Sequence, residues 1–117
     1  MEYLDIVDEK GIPTGKIENR SIIHDKLLLH NEMWLFIFNS KNETLIQKRS
    51  STKKSNPNKW AICAGHIDVN EPIINACIRE AKEELGVDIS IENVILFDKE
   101  LVQEESNHHI AHKYYVF

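Results

Sequence analysis

Between Pro72 and Gly86 the sequence carries a helix marked at both ends, and any fold of this chain has to bury its apolar stripe. Ile74, Cys77, Ile78, Ala81 and Leu85 recur at helical spacing, so they must face a core. Pro72 suits a first helical turn, where no amide hydrogen is needed, and Gly86 suits the left-handed residue that ends a helix. Away from the stripe lie Glu80, Glu83 and Glu84, in the order E-x-x-E-E. Positions three and four apart stack on one helix face, so the three carboxylates fall within an arc of roughly 100°. Carboxylates packed so closely repel one another and normally ionise together only around a cation. Ligands made of oxygen alone suit a hard ion such as magnesium or manganese. On its own, E-x-x-E-E reads as a solvated face, the commonest fate of charge on an amphipathic helix.

The wider pattern changes that reading. From Gly65 the chain runs GHIDVNEPIINACIREAKEELGV, in which Gly65, Glu71, Arg79, Glu80, Glu83, Glu84, Gly86 and Val87 stand at set spacing. The segment 65–87 resembles the box of the Nudix hydrolases at every fixed position. Ala81 is smaller than the aliphatic residue usual there, which implies closer packing. The resemblance implies a loop, helix, loop motif with Glu80, Glu83 and Glu84 as metal ligands and the carbonyl of Ala64 as a further one, the metal being Mg2+ or Mn2+. It also implies that Arg79 and Glu71 form an ion pair that holds the loop against the helix.

Upstream, Asp5 to Gly15, Arg20, His24, His30, the run Gln47-Lys48-Arg49-Ser50, Lys53-Lys54, Pro57, Trp60 and Ala64-Gly65-His66 resemble a narrower group. This is the Nudix branch that contains isopentenyl-diphosphate isomerase and its hydrolase relatives. The basic segment supplies positive charge just before the acidic helix, so a diphosphate between the two would be neutralised from both sides. By resemblance, Arg49 and either Lys53 or Lys54 are the candidates to contact it, whereas Lys48 and Lys59 read as solvated charges. Isomerases carry a catalytic cysteine directly before the Gly-His pair. Here Ala64 stands there and Cys63 one residue earlier, on the opposite face of a strand. His24 and His66 remain ligand candidates, and His30 reads as a structural residue at a strand start. The group His108, His109 and His112 reads as a polar loop rather than a metal site.

The activity this implies is metal-dependent hydrolysis of a diphosphate linkage in a nucleoside diphosphate derivative or similar small organic diphosphate. Glu83, Glu104 and Glu105 compete as general base. The alternatives are an isomerase-like enzyme and a fragment that binds metal or ligand without turnover.

Outside the helix, Tyr3–Val7, the turn Asp8-Glu9-Lys10-Gly11 and a second arm leading to Arg20 predict an N-terminal hairpin. Met33–Phe38, Thr44–Lys48 and Trp60–Cys63 read as strands of a central sheet, and Ile89–Phe97 and Ala111–Phe117 as further strands divided by the polar stretch Glu104–His109. The expected fold is a single α+β domain over residues 1–117, a Nudix-type α/β/α sandwich with a mixed sheet. Family members continue past such a last strand with another strand and a C-terminal helix, so this sandwich is expected to lack both. Either the chain is truncated or a second copy covers the apolar surface this leaves, and the ending predicts self-association through the C-terminal strand or adjacent face, a homodimer being the simplest form.

A net charge of −5 argues against nonspecific binding to nucleic acid or a membrane surface. The polar start MEYLDIVDEKG lacks a signal-peptide layout, which points to the cytoplasm. Two cysteines are too few for a disulfide scaffold.

Overall fold

Asp8 folds the chain back on itself, because its Oδ1 accepts the amides of Lys10 and Ile12 at 2.9 and 3.0 Å. In the computed structural model, which describes residues 2–48, 60–104 and 107–117, this turn joins β1 (Tyr3–Val7) to β2 (Pro13–Asn19) as an antiparallel hairpin. A short helix α1 (Arg20–Asp25) follows directly, with the Asn19 side chain accepting the Ser21 amide at 2.8 Å. The central sheet takes the order β6 (Cys63–His66), β3 (His30–Ile37), β8 (Asn107–Val116), β7 (Ile95–Glu104). It is mixed, since β3 and β8 run parallel and the other pairs antiparallel.

Alternation along β3 sorts the sheet into two faces. Met33 and Leu35, with Cys63, Tyr114 and Val116 from neighbouring strands, form a buried core with Ala76, Cys77 and Ala81 of the following helix. That helix, α2 (Ile73–Glu80), widens from Ala81 to Leu85 into a π turn and ends at Gly86, whose φ of +69° is the left-handed conformation. Its contact residues are small, so its axis lies close to the sheet. Truncating Leu35 to alanine in this core costs about 3 kcal/mol. Pro72 sits one residue before the helix, and its carbonyl accepts the amides of Asn75 and Ala76. On the opposite face, His30, Glu32, Trp34 and Phe36 meet α1 at one end through His24, while the other end carries the rings of Phe36, Phe97, Tyr115, Phe117 and Phe38. The sheet is therefore sandwiched between α1 and α2.

Three strand assignments differ from those read in the sequence. Of Thr44–Lys48 only β4 (Gln47–Lys48) is a strand, and it pairs with β5 (Trp60–Ala61) in a separate ribbon rather than the central sheet. Thr44 makes a lone bridge back to Phe38. The central strand on that side is instead Cys63–His66, where Gly65 weakens the local strand signal but the backbone pairs fully with β3. Downstream, residues 91–93 form a 3-10 turn, and β7 and β8 run further towards their hairpin tip than apolar alternation suggests. There Val102, Gln103 and Glu104 pair with His109, His108 and Asn107, so backbone hydrogen bonding extends the strands through polar sequence. Among the described residues, no helix is long and apolar enough to cross a membrane.

Candidate functional site

The segment Gly65–Val87 is organised around one guanidinium. Arg79 donates from Nε and Nη2 to the two carboxylate oxygens of Glu71, at 2.9 and 3.0 Å, in a fork that a single-point cation could not match. Nη2 also donates to the His66 carbonyl at 3.1 Å, and Nη1 to Glu80 at 2.9 Å and Glu83 at 3.3 Å. Loop, strand end and helix are thus held by one side chain. Its hydrogen bonds, that to Glu71 foremost, raise its already high pKa, so it is a permanent cation. For Glu71, burial is the largest influence and pushes the carboxyl upward, but the hydrogen bonds from Arg79 and the Asp68 amide, with the Arg79 charge, together outweigh it and the pKa falls below its ordinary value. Glu71 further accepts the Asp68 amide at 3.0 Å, closing the loop, and the Asn70 amide reaches Asp5 of β1.

Glu80 points inward over Gly65. A Cβ built on Gly65 would lie 2.6 Å from the Glu80 carboxyl carbon, so only glycine leaves room for the acid. Burial first, then a hydrogen bond and charge shared with Glu84, push Glu80 up to about 7, against the pull of Arg79. Glu84 also accepts a hydrogen bond from Gln47 of β4. Glu83 and Glu84 are both exposed, and Glu83 is turned towards Arg79. A carboxyl pushed up by burial and by a neighbouring carboxylate, in an all-oxygen set, is the kind of arrangement that a hard divalent cation stabilises. Ala64 lies alongside in β6, paired with Trp34. Glu104 ends β7, away from the helix in the chain, and Arg49, Lys53, Lys54 and Glu105 lie outside the described residues.

A second cluster occupies the other face of the sheet. The Nε2 atoms of His24 and His66 lie 3.2 Å apart, and the His30 ring stands 5.1 and 5.5 Å from theirs. His30, fully buried, donates from Nδ1 to the Leu28 carbonyl at 3.1 Å, which turns Nε2 towards the cluster. Glu32 brings Oε2 to within 3.1 Å of His30 Nε2, 3.4 Å of His109 Nδ1 and 3.8 Å of His66 Nε2. Burial favours the neutral acid at Glu32, yet the His30 hydrogen bond foremost, with the neighbouring His109, holds it at about 2. Burial pushes His66 down to about 3 and lowers His24 as well, so both are neutral bases at neutral pH. The ligand atoms of His24, His30 and His66 all lie within 4.8 Å of one another, as do those of His30, Glu32 and His109. Three imidazoles brought together in this way, one oriented by a backbone carbonyl, fit a borderline divalent ion better than magnesium.

The three histidines grouped in the sequence near the C terminus separate in space. His108 reaches the Leu27 carbonyl, His109 faces Glu32, and His112 contacts Asn31 on the opposite face. Glu32 and His109 were not legible as partners of His30. Their signal is the two-residue spacing of His30 and Glu32 in one strand, which places both on one face. Cys63 is buried in the core, its thiol pushed up to about 12 by burial and by the charges of Glu84 and Glu80.

The sequence profile of the NUDIX domain matches residues 28–117. Curated relatives include "Isopentenyl-diphosphate Delta-isomerase 2" of Photorhabdus laumondii subsp. laumondii, 35% identical over 97 residues that cover 82% of this chain and 54% of that protein. Another is "Isopentenyl-diphosphate Delta-isomerase" of Escherichia coli O127:H6, 33% identical over 91 residues, or 76% of this chain and 50% of that protein. The chain thus spans about half the length of these relatives. Among solved structures, DR0079 from Deinococcus radiodurans superposes with a TM-score of 0.68 at 23% identity, covering 99% of this chain and 73% of that one. The MutT protein from Methanosarcina mazei Go1 gives 0.63 at 22% identity, covering 76% and 63%. These likenesses establish the fold, and with the profile match over most of its length the chain belongs to the NUDIX domain family.

Proposed function

We propose that this chain hydrolyses a diphosphate linkage in a nucleoside diphosphate derivative or a similar small organic diphosphate, with Mg2+ or Mn2+ as cofactor. The observation that carries this reading is the paired Glu80 and Glu84 beside Gly65, braced by the Arg79–Glu71 fork. Glu80, Glu83, Glu84 and the Ala64 carbonyl would hold the metal. Bound there, it supplies a Lewis acid for a phosphoryl oxygen and eases ionisation of the attacking water. Arg79 sets the position of the carboxylates before substrate arrives, so little reorganisation is left for the transition state. Glu83, which is exposed, competes with Glu104 and Glu105 as the base that takes the proton from water. Arg49 and Lys53 or Lys54 neutralise the diphosphate from the other side. The same reading includes a single domain over residues 1–117, a cytoplasmic setting, no nucleic-acid or membrane partner, and a homodimer formed over the exposed rings of Phe97 and Phe117, which light scattering tests.

Phosphate release from a panel of nucleotide-sugar, dinucleotide and isoprenoid diphosphates, with and without magnesium, tests the reading. Turnover should need metal and vanish in Glu83→Gln while the circular dichroism spectrum is retained. Undiminished turnover in that variant would refute the assignment, and no turnover on any substrate favours a fragment that binds metal or ligand only.

A second reading, an isomerase-like enzyme, is favoured by the convergence of His24, His30 and His66, which would hold a divalent transition metal with Glu32 or His109 as a further ligand. The buried, high-pKa Cys63 and the alanine at position 64 weigh against it. Isomerisation of isopentenyl diphosphate, followed by proton NMR, separates the two.

A further inference from the structure

The exit of the helix that carries His24 is touched from β8, by the residue next to the register partner of His30. α1, the helix that carries His24, has only six residues, too few to hold itself in place by its own hydrogen bonds. Its exit is fixed instead by neighbours. Leu27 stands at φ +53°, a left-handed conformation that costs a side chain about 1 kcal/mol and persists only where surroundings enforce it. The next carbonyls are each tied to a different element: Leu27 to His108 of β8, Leu28 to His30 of β3, and Leu29 to the amide of Val7 in β1.

The His108 contact is made by a defined tautomer. The Leu27 carbonyl can only accept, so His108 Nδ1, 2.9 Å away, carries the proton. Nε2 is then an acceptor, and the Gln103 amide nitrogen of β7 donates to it at 3.1 Å. Gln103 and His108 are cross-strand partners beside the hairpin tip. A relay therefore runs from Gln103 through His108 to Leu27, one turn beyond His24.

We infer that this Gln103–His108 relay is a positioning device for His24, through which the β7–β8 hairpin sets how closely the three-imidazole cluster grips a divalent transition metal. It rests on the reading of that cluster as a metal centre. His108 touches neither metal nor substrate and acts through α1 alone. Whatever moves the paired residues Gln103 and His108 alters metal affinity on the other side of α1.

Titration of the full chain with Co2+, read from its visible absorption in excess Mg2+ to fill the carboxylate site, tests the inference beside amide exchange at Leu28, whose amide bonds the Ile23 carbonyl at 2.9 Å. His108→Ala should weaken Co2+ binding roughly tenfold, as loss of an outer-shell partner does, and should speed Leu28 exchange. His108→Asn, whose side-chain amide can replace Nδ1–H, should restore both, which a general loss of stability would not do. Equal Co2+ affinity in wild type and His108→Ala overturns the positioning role and leaves the metal centre standing. No Co2+ band in wild type overturns the metal centre, and with it the effect on affinity. In that event Leu28 exchange still decides the clamp: acceleration in His108→Ala reversed in His108→Asn supports it, and unchanged protection overturns it.

Discussion

The carboxyl carbon of Glu80 packs against the bare α-carbon of Gly65, at a distance that leaves no room for a methyl group. The strand and the helix therefore share one small space, and the acid occupies it. Gly65→Ala should displace the Glu80 side chain, which is flexible at its far end, without unfolding the sheet. We expect the magnesium concentration for half-maximal phosphate release to rise about tenfold or more, with melting lowered by only a few degrees. Unchanged metal dependence would show that Glu80 is no ligand.

Arg79 makes five hydrogen bonds to four groups, and its contact with Glu71 is bidentate. Arg79→Lys keeps the charge and loses the fork. Because the guanidinium is a quarter exposed, the loss should fall below that of a fully buried pair, at about 2 kcal/mol in a urea titration. Glu71→Gln should produce a smaller effect of the same sign. A midpoint for Arg79→Lys equal to that of wild type would mean that solvent screens the network entirely.

Cys63 and Cys77 are both buried with thiols pushed up to about 12, so neither is nucleophilic in the folded chain. Ellman's reagent should leave both untouched under native conditions and titrate both in guanidinium. Cys63→Ala should lower stability by about 1 kcal/mol through a small void and leave diphosphate hydrolysis in place. Rapid native labelling of Cys63 would revive a catalytic role for it.

His112 is buried, with Nε2 2.8 Å from Asn31 Oδ1, and Asn31 in turn donates to the Gly11 carbonyl at 3.0 Å. Burial, with a contribution from Lys99, pushes its pKa down to about 4 from 6.5. Between those values the unfolded chain binds the proton and the folded chain does not. Stability from this group is therefore complete above pH 6.5 and is lost as pH falls towards 4, at up to about 1.4 kcal/mol per pH unit. An NMR titration of the His112 ring should show no inflection above pH 5. A midpoint near 6.5 would remove this contribution.

Much of the fold could be read in the sequence because its signals are local. Asp8 to Gly11 predicted the first hairpin, and the stripe Ile74, Cys77, Ile78, Ala81, Leu85 predicted α2 together with its stop at Gly86. Thr44–Lys48 misled, because an exposed ribbon and a central strand share the same β-prone residues and differ only in partner. For the site, the spacing of the glutamates named the acidic residues, but the placement of the Glu80 and Glu84 carboxyls involves Gly65 and Gln47, whose approach is tertiary. The cluster on the opposite face was harder still. His24, His30, Glu32, His66 and His109 come from four separate elements, and only the pairing of β3 with β6 and β8 brings them together.

The parallel register of β3 with β8 joins His30–Ile37 to residues near the other end of the sequence. The middle of the sheet therefore cannot assemble until almost all the intervening chain has been threaded into place. Local hairpins and the long helix can flicker into being in microseconds, but closing so large a loop makes refolding a matter of milliseconds to seconds. During synthesis, the apolar side chains of Met33 and Leu35 must wait for a partner strand that emerges long after them, and that interval is when the nascent chain is most exposed to aggregation.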